Sequence, residues 1–169
     1  MIFNLFRKST APGAALEGYR SIVAQSRQQR FYADWGVPDT VTGRFDMISL
    51  HMALTMHRLK GDAAARDFGQ SLVDLFFLDM DGSLREMGVT DLGVPKKVKK
   101  MGNVFYGLVG ALGDALDSGD PVRIEGVLVK NVYGSPNPHA ADLAQYLLDM
   151  ARRLASQPTA TLILAGAAA

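Results

Sequence analysis

The sequence predicts an all-α fold, a compact single-domain bundle of about six helices. Three observations carry that expectation. Apolar residues recur at steps of three and four over most of the chain, the period of a helix face. Residues that start or stop helices punctuate those runs at Thr40 or Thr42, Asp62, Gly88, Asp120-Pro121 and Asn137-Pro138. The connections between them are short, and no internal repeat, low-complexity tract or long linker interrupts them.

The first helix is expected from about Pro12 to Arg27, burying Leu16, Tyr19, Ile22 and Val23, with Pro12 in the first turn where its missing N–H costs little. A loop marked by Gly36-Val37-Pro38-Asp39 leads to a second helix, Thr42 to Leu59. There Phe45, Ile48 and Met52, with His51 or Met56, share neighbouring faces. The third runs from Asp62 as N-cap to Gly88 as stop, with a stripe of Val73, Phe76, Phe77, Met80, Leu84 and Met87. The fourth, Lys96 to Leu116, has the clearest stripe: Val98, Met101, Phe105, Leu108, Leu112 and Leu116. The fifth opens at Asp120-Pro121, although Val122, Ile124, Val127 and Val129 also suit a strand. The sixth opens at Asn137-Pro138, buries Leu143, Leu147, Met150 and Leu154, and ends before Pro158. Thr159 to Leu164 reads as a short extended piece. The expected organisation is a flexible N-terminus over residues 1–11, a helical domain over 12–157 and a C-terminal tail over 158–169.

At 169 residues the chain suits one domain with a real core. Its 48% hydrophobic and 21% charged residues are ordinary for a globular protein. Lys plus Arg, at 18, nearly balances Asp plus Glu, at 17, so no broad basic field exists and DNA is not an expected partner. The lack of cysteine excludes disulfides, thiolate nucleophiles and Cys-ligated metals, and it fits a cytoplasmic protein. At the start, Met1-Ile2-Phe3-Asn4-Leu5-Phe6-Arg7-Lys8 places its charges after the apolar run, the wrong order for a signal peptide. The segment reads as a frayed end or as aromatics dipping into a membrane surface beside Arg7 and Lys8. The uncharged tail from Thr159 falls short of the roughly 20 residues a spanning helix needs.

Catalytic and metal chemistry finds little support. His51 and His57 point about 120° apart on a helix. No His-x-x-x-His or Glu-x-x-His spacing occurs, and no metal or cofactor is expected. His139 falls in the first turn of the last helix, where the dipole disfavours a cation. The stretch from Asp79 to Glu86 invites a calcium reading, but its glycine and glutamate fall at the wrong positions for the loop. Asp79 and Asp81 point nearly opposite ways on a helix, so a hydrolase using Asp79, Asp81 or His51 is disfavoured. No Gly-x-Gly-x-x-Gly, P-loop or Gly-x-Ser-x-Gly motif appears.

Four features suit binding. Asp67, Asp74 and Asp81 recur every seventh residue and form either a solvated face, with Asp81 paired to Arg85, or an acidic docking strip. Gly107, Gly110 and Gly113 sit inside one helix, each at about 1 kcal/mol relative to alanine. Close packing by a neighbouring helix is the expected offset, and a groove admitting a partner's backbone is the alternative. Lys96, Lys97, Lys99 and Lys100 crowd the start of the fourth helix, where the dipole disfavours them. Phosphate is their expected counterpart, from RNA or anionic lipid. Phe31, Tyr32 and Trp35 are core anchors or a recognition surface.

Several of these segments resemble the ubiquinol–cytochrome c chaperone family. The resemblance rests on Arg30-Phe31-Tyr32-Ala33-Asp34-Trp35-Gly36-Val37-Pro38-Asp39-Thr40, Gly43-Arg44-Phe45-Asp46 through Leu50-His51, and Asp79-Met80-Asp81. It continues through Leu84-Arg85-Glu86-Met87-Gly88-Val89, Asp91-Leu92-Gly93-Val94, Lys96-Lys97-Val98-Lys99-Lys100-Met101 and Phe105-Tyr106-Gly107. Membership implies an assembly factor for the cytochrome bc complex, similar to the shorter bacterial members. Mitochondrial members act with a small partner protein near the ribosomal exit tunnel and hold new cytochrome b until haem is inserted. The family has no agreed catalytic residues, so none is carried over. The expected function is therefore a cytoplasmic chaperone, peripheral to the inner membrane, with cytochrome b as client. Ribosome, anionic lipid or a small partner protein are the expected further contacts. The alternative is a lipid or quinone binder with an apolar pocket among Met47, Phe76, Phe77 and Phe105.

Overall fold

The computed structural model describes residues 12–162. Seven α-helices follow one another: α1 (Pro12–Ser26), α2 (Gln29–Ala33), α3 (Val41–Leu59), α4 (Arg66–Glu86), α5 (Val94–Ser118), α6 (Pro121–Leu128) and α7 (Ala140–Ala155). A 3-10 turn at Ala63–Ala65 leads into α4, and a π turn at Val129–Tyr133 prolongs α6. The fold is all-α, with no strand among the described residues, and the segment after Pro121 is helix rather than strand. The apolar run at Met1–Lys8 lies outside the described residues, as do residues 163–169.

Several boundaries follow the sequence signals atom by atom. The Thr40 hydroxyl accepts from the Gly43 N–H at 3.1 Å, and the Asp120 carboxylate accepts from the Val122 N–H at 2.9 Å. Asp62 caps the 3-10 turn through the Ala64 N–H. Gly43 has a steric reason to be glycine, because a Cβ there would lie 1.9 Å from the Pro38 carbonyl oxygen. Two expectations are corrected. Asn137 accepts from the His139 N–H at 2.8 Å and closes a turn of its own, so α7 starts at Ala140 and not at Pro138. Thr159–Leu162 is helical, not extended. Pro158 opens that turn by accepting from the Thr161 N–H, and the Arg58 guanidinium fixes its approach by donating to the carbonyls of Leu154 and Gln157.

Helix α3 runs through the middle. Every residue from Met47 to Leu54 is buried, so two turns of α3 have no solvent face. On one side Met47, Leu50 and Leu54 join Phe31, Leu112, Leu128 and Leu147. On the other, Ile48 and Met52 join Tyr19, Phe68, Phe76 and Phe105. The core thus has two clusters that share α3 and are bridged by α5.

A polar node sits in the first cluster. His51 Nδ1 lies 2.8 Å from the Met47 carbonyl oxygen, and Nε2 lies 2.8 Å from the Tyr146 hydroxyl. A carbonyl only accepts, so Nδ1 carries the proton and the Tyr146 O–H donates to Nε2. Phe31 packs on both rings, and the Arg30 guanidinium lies 4.8 Å from the Tyr146 centroid. Burial lowers the His51 pKa to about 4. Asp46, five residues earlier on α3, is pushed up to about 7 by burial.

These two groups give opposite pH responses. Neutral His51 contributes stability that is present above 6.5 and is lost as pH falls through about 4, at up to ~1.4 kcal/mol per pH unit. The raised Asp46 lowers stability as pH rises from 3.8 to about 7. Asp46→Asn is therefore expected to stabilise the fold at pH 8 and leave it unchanged near pH 4. Tyr146→Phe, which orphans His51 Nε2, is expected to cost about 1–3 kcal/mol in urea unfolding. A neutral Tyr146→Phe or a pH-independent gain from Asp46→Asn would contradict this account.

Candidate functional site

An open apolar groove of about 380 Å³ lies where α1, α3, α4 and α5 meet. Val41, Phe45 and Ile48 line one wall from α3, and Phe76, Met80 and Met87 line another from α4 and its end. Met101 of α5 completes the apolar lining. Val41 and Met87 are 59% and 51% exposed, an unusual state for large apolar side chains beside a core opening. The Phe45 and Phe76 rings stack at 5.5 Å between centroids and, with buried Met80, form a firm floor, whereas Met87 and Met101 supply soft, adaptable edges. Polar groups stay at the rim. The Tyr19 hydroxyl donates to Asp79 at 2.7 Å, and burial followed by that carboxylate pushes Tyr19 above the usual tyrosine range. Arg44 pairs with Asp39 at 2.7 Å, which holds Asp39 below the usual carboxylate range.

The lysine cluster stands at the start of α5. Lys96, Lys97, Lys99 and Lys100 are all exposed, and none is in an ion pair among the described residues. Gly93 supplies no side-chain cap, and the first turn holds no acidic residue. Four ammonium groups therefore meet the positive end of the helix without local compensation.

The remaining candidate residues separate. Asp81 pairs with Arg85 at 2.6 Å, and Arg85 also holds Asp91 across the α4–α5 connection. Asp67 and Asp74 are exposed on the same helix, with Gln70 donating to Asp74. Phe31 is fully buried, so it presents no surface, while Tyr32 and Trp35 are half-buried against the first cluster. Their polar atoms serve the fold: Tyr32 donates to the Ser26 carbonyl, and the Trp35 carbonyl accepts from the Tyr133 hydroxyl. His139 sits at the N-cap of α7 beside Asp142 and away from His51.

Two further expectations change. Met47 belongs to the first cluster and Phe76 and Phe105 to the second, and of the four only Phe76 lines the groove, so the opening lies elsewhere than among Met47, Phe76, Phe77 and Phe105. A Cβ at Gly107 or Gly110 would meet nothing within 4 Å, so neighbouring helices do not explain these two, whereas one at Gly113 would lie 3.6 Å from the His57 ring of α3, as close packing requires. The most tightly packed glycine of α5 is Gly102, where a Cβ would lie 3.0 Å from the Phe77 ring. The groove itself escaped periodicity, because Met80 and Met101 read as ordinary stripe residues of separate helices. Met87 also read as a stripe residue, and the structure leaves it 51% exposed at the end of α4.

An all-helical domain whose surface offers an apolar groove and an unpaired cationic helix start has the build of a binding protein. The chain belongs to the ubiquinol-cytochrome C chaperone family, whose model matches residues 33–169. It is similar to a solved structure described as the Cbp3 homolog from Brucella abortus, at 42% identity and a TM-score of 0.85. That match covers 96% of this chain and 93% of the other. No match was found among curated proteins. Among the described residues, no helix is long and apolar enough to cross a membrane, and no cluster of metal-ligating side chains occurs.

Because the four lysines oppose the helix dipole, replacing them all with glutamine is expected to stabilise the fold by up to ~0.3–1 kcal/mol per residue at low salt. The gain should shrink in high salt, where surface charges are screened. Thermal unfolding at two ionic strengths checks this, and a loss of stability would show that the lysines serve the fold.

Proposed function

We propose that this protein is a non-catalytic assembly chaperone of the cytochrome bc complex, and that it holds an apolar segment of cytochrome b in the groove between α1, α3, α4 and α5. The observation that carries the reading is that groove, open and edged by Val41, Met87 and Met101, in a chain of this family. A client that is to be released must be bound by surfaces that repack, and methionine edges over an aromatic floor suit apolar segments of varied shape. The groove withholds such a segment from aggregation until it is handed on. The lysine cluster serves a second contact, with a partner of opposite charge. The protein acts at the cytoplasmic face of the membrane as a peripheral component.

The test uses the two exposed edges of the groove. Val41→Asp with Met87→Asp should leave the fold intact, since both side chains are more than half exposed. It is expected to lower cytochrome b binding by roughly tenfold or more, the effect of removing an interface hot spot. Haem-loaded cytochrome b and assembled bc complex should fall with it in cells. Unchanged assembly with a folded variant would overturn the groove as the client site. Normal bc complex after gene deletion would overturn the function.

A further inference from the structure

A second groove, of about 530 Å³, separates α5 from α6 and shares no lining residue with the first. Its walls are made by Val104, Gly107 and Ala111 on α5 and by Arg123, Gly126 and Lys130 on α6 and its π turn. Gly107 faces open space, and so does Gly126 across from it. Glycine inside an exposed helix weakens that helix. Where the fold needs glycine, as at Gly43, a neighbour occupies the space a Cβ would fill; these two sites have none. Two facing walls without side chains let another backbone approach closely.

Charge tells what approaches. At 100° per residue, Lys97, Lys100, Val104, Gly107 and Ala111 lie on one face of α5, a stripe about 21 Å long. Lys97 and Lys100 thus continue the groove toward the helix start, while Arg123 and Lys130 flank it from the other wall. None of these four cations is in an ion pair among the described residues, and no carboxylate lines the groove. Between the charges Val104, 51% exposed, and Val127 give the groove an apolar middle, with Asn103 and Asn131 beside them. A nucleic-acid backbone would leave the valines and the glycine walls without partners, and a membrane meets a convex face better than a cleft. A helix with a small-residue or apolar ridge and flanking carboxylates satisfies all three features.

We propose that the α5–α6 groove is a docking site for an acidic amphipathic helix of a partner protein. This names the oppositely charged partner of the lysine cluster, and it holds whether or not cytochrome b occupies the other groove.

The test places a photo-crosslinking amino acid at Val104 of the full chain in cells, with the crosslinked peptide mapped by mass spectrometry. The expected result is a crosslink to a helical segment bearing Asp or Glu on one face. Its yield should drop at least ~tenfold in Gly107→Leu/Gly126→Leu and in Lys97→Glu/Lys100→Glu, as loss of central interface contacts does. Gly107→Ala should raise the melting temperature, which shows that the wall tolerates a side chain without unfolding. Crosslinks to RNA or lipid, to a basic or non-helical segment, or to nothing overturn the proposal, as does undiminished yield in the folded variants. A crosslinker at Met87 reads the first groove separately, so the two readings fail independently.

Discussion

The fold depends on a helix that has no solvent side. From Met47 to Leu54 every position of α3 is enclosed, so its few polar groups must be satisfied within the protein. His51 meets that demand by staying neutral, donating to its own helix and accepting from Tyr146 of α7. Ser49 meets it incompletely, since its buried hydroxyl oxygen has no partner. The two core clusters share this helix, so disturbing one disturbs the support of the other. The His51–Tyr146 link is therefore a structural device, which accounts for a buried histidine without invoking catalysis.

Much of this was legible because burial leaves a period. The stripes of α3, α4 and α5 and the caps at Thr40 and Asp120 appear where elementary rules put them. What was hidden has physical reasons. Helix α2 is five residues long, too short for a period to register. Asn137 carries the right chemistry for a helix cap, but its carbonyl oxygen serves a local turn two residues before α7 begins. The π turn keeps helical composition, so nothing in its residue types distinguishes it. The apolar groove is a tertiary object: Phe45, Phe76, Met80 and Met101 come from three helices, and sequence spacing does not report that they share an opening. The lysine cluster was the reverse case. A charge pattern at odds with a helix dipole is visible in the sequence, and its exposure follows.

Helix α5 concentrates several duties along one rod. Its inner face supplies Phe105 to one cluster and Leu108 and Leu112 to the other. Its first turns carry unpaired positive charge, and its outer face runs into the glycine-walled cleft. Arg85 fastens the connection before it by holding both Asp81 and Asp91, which limits how far the cationic end can swing relative to α4. Surfaces for two partners can thus be held in fixed relation without either intruding on the core.

The π turn at Val129–Tyr133 has a consequence for how such chains diversify. A π turn holds one residue more than the α-helical turn it replaces. Leu128 and Val132 face the interior on either side of it, and the Tyr133 hydroxyl at its end donates to the Trp35 carbonyl at 2.9 Å. The excess is taken up within that one turn, so losing a residue there restores ordinary winding while the helix before it and the chain after it keep their places. The stretch can therefore change length by one residue at little cost to the rest of the fold, and the contact most exposed to such a change is that of Tyr133 with Trp35.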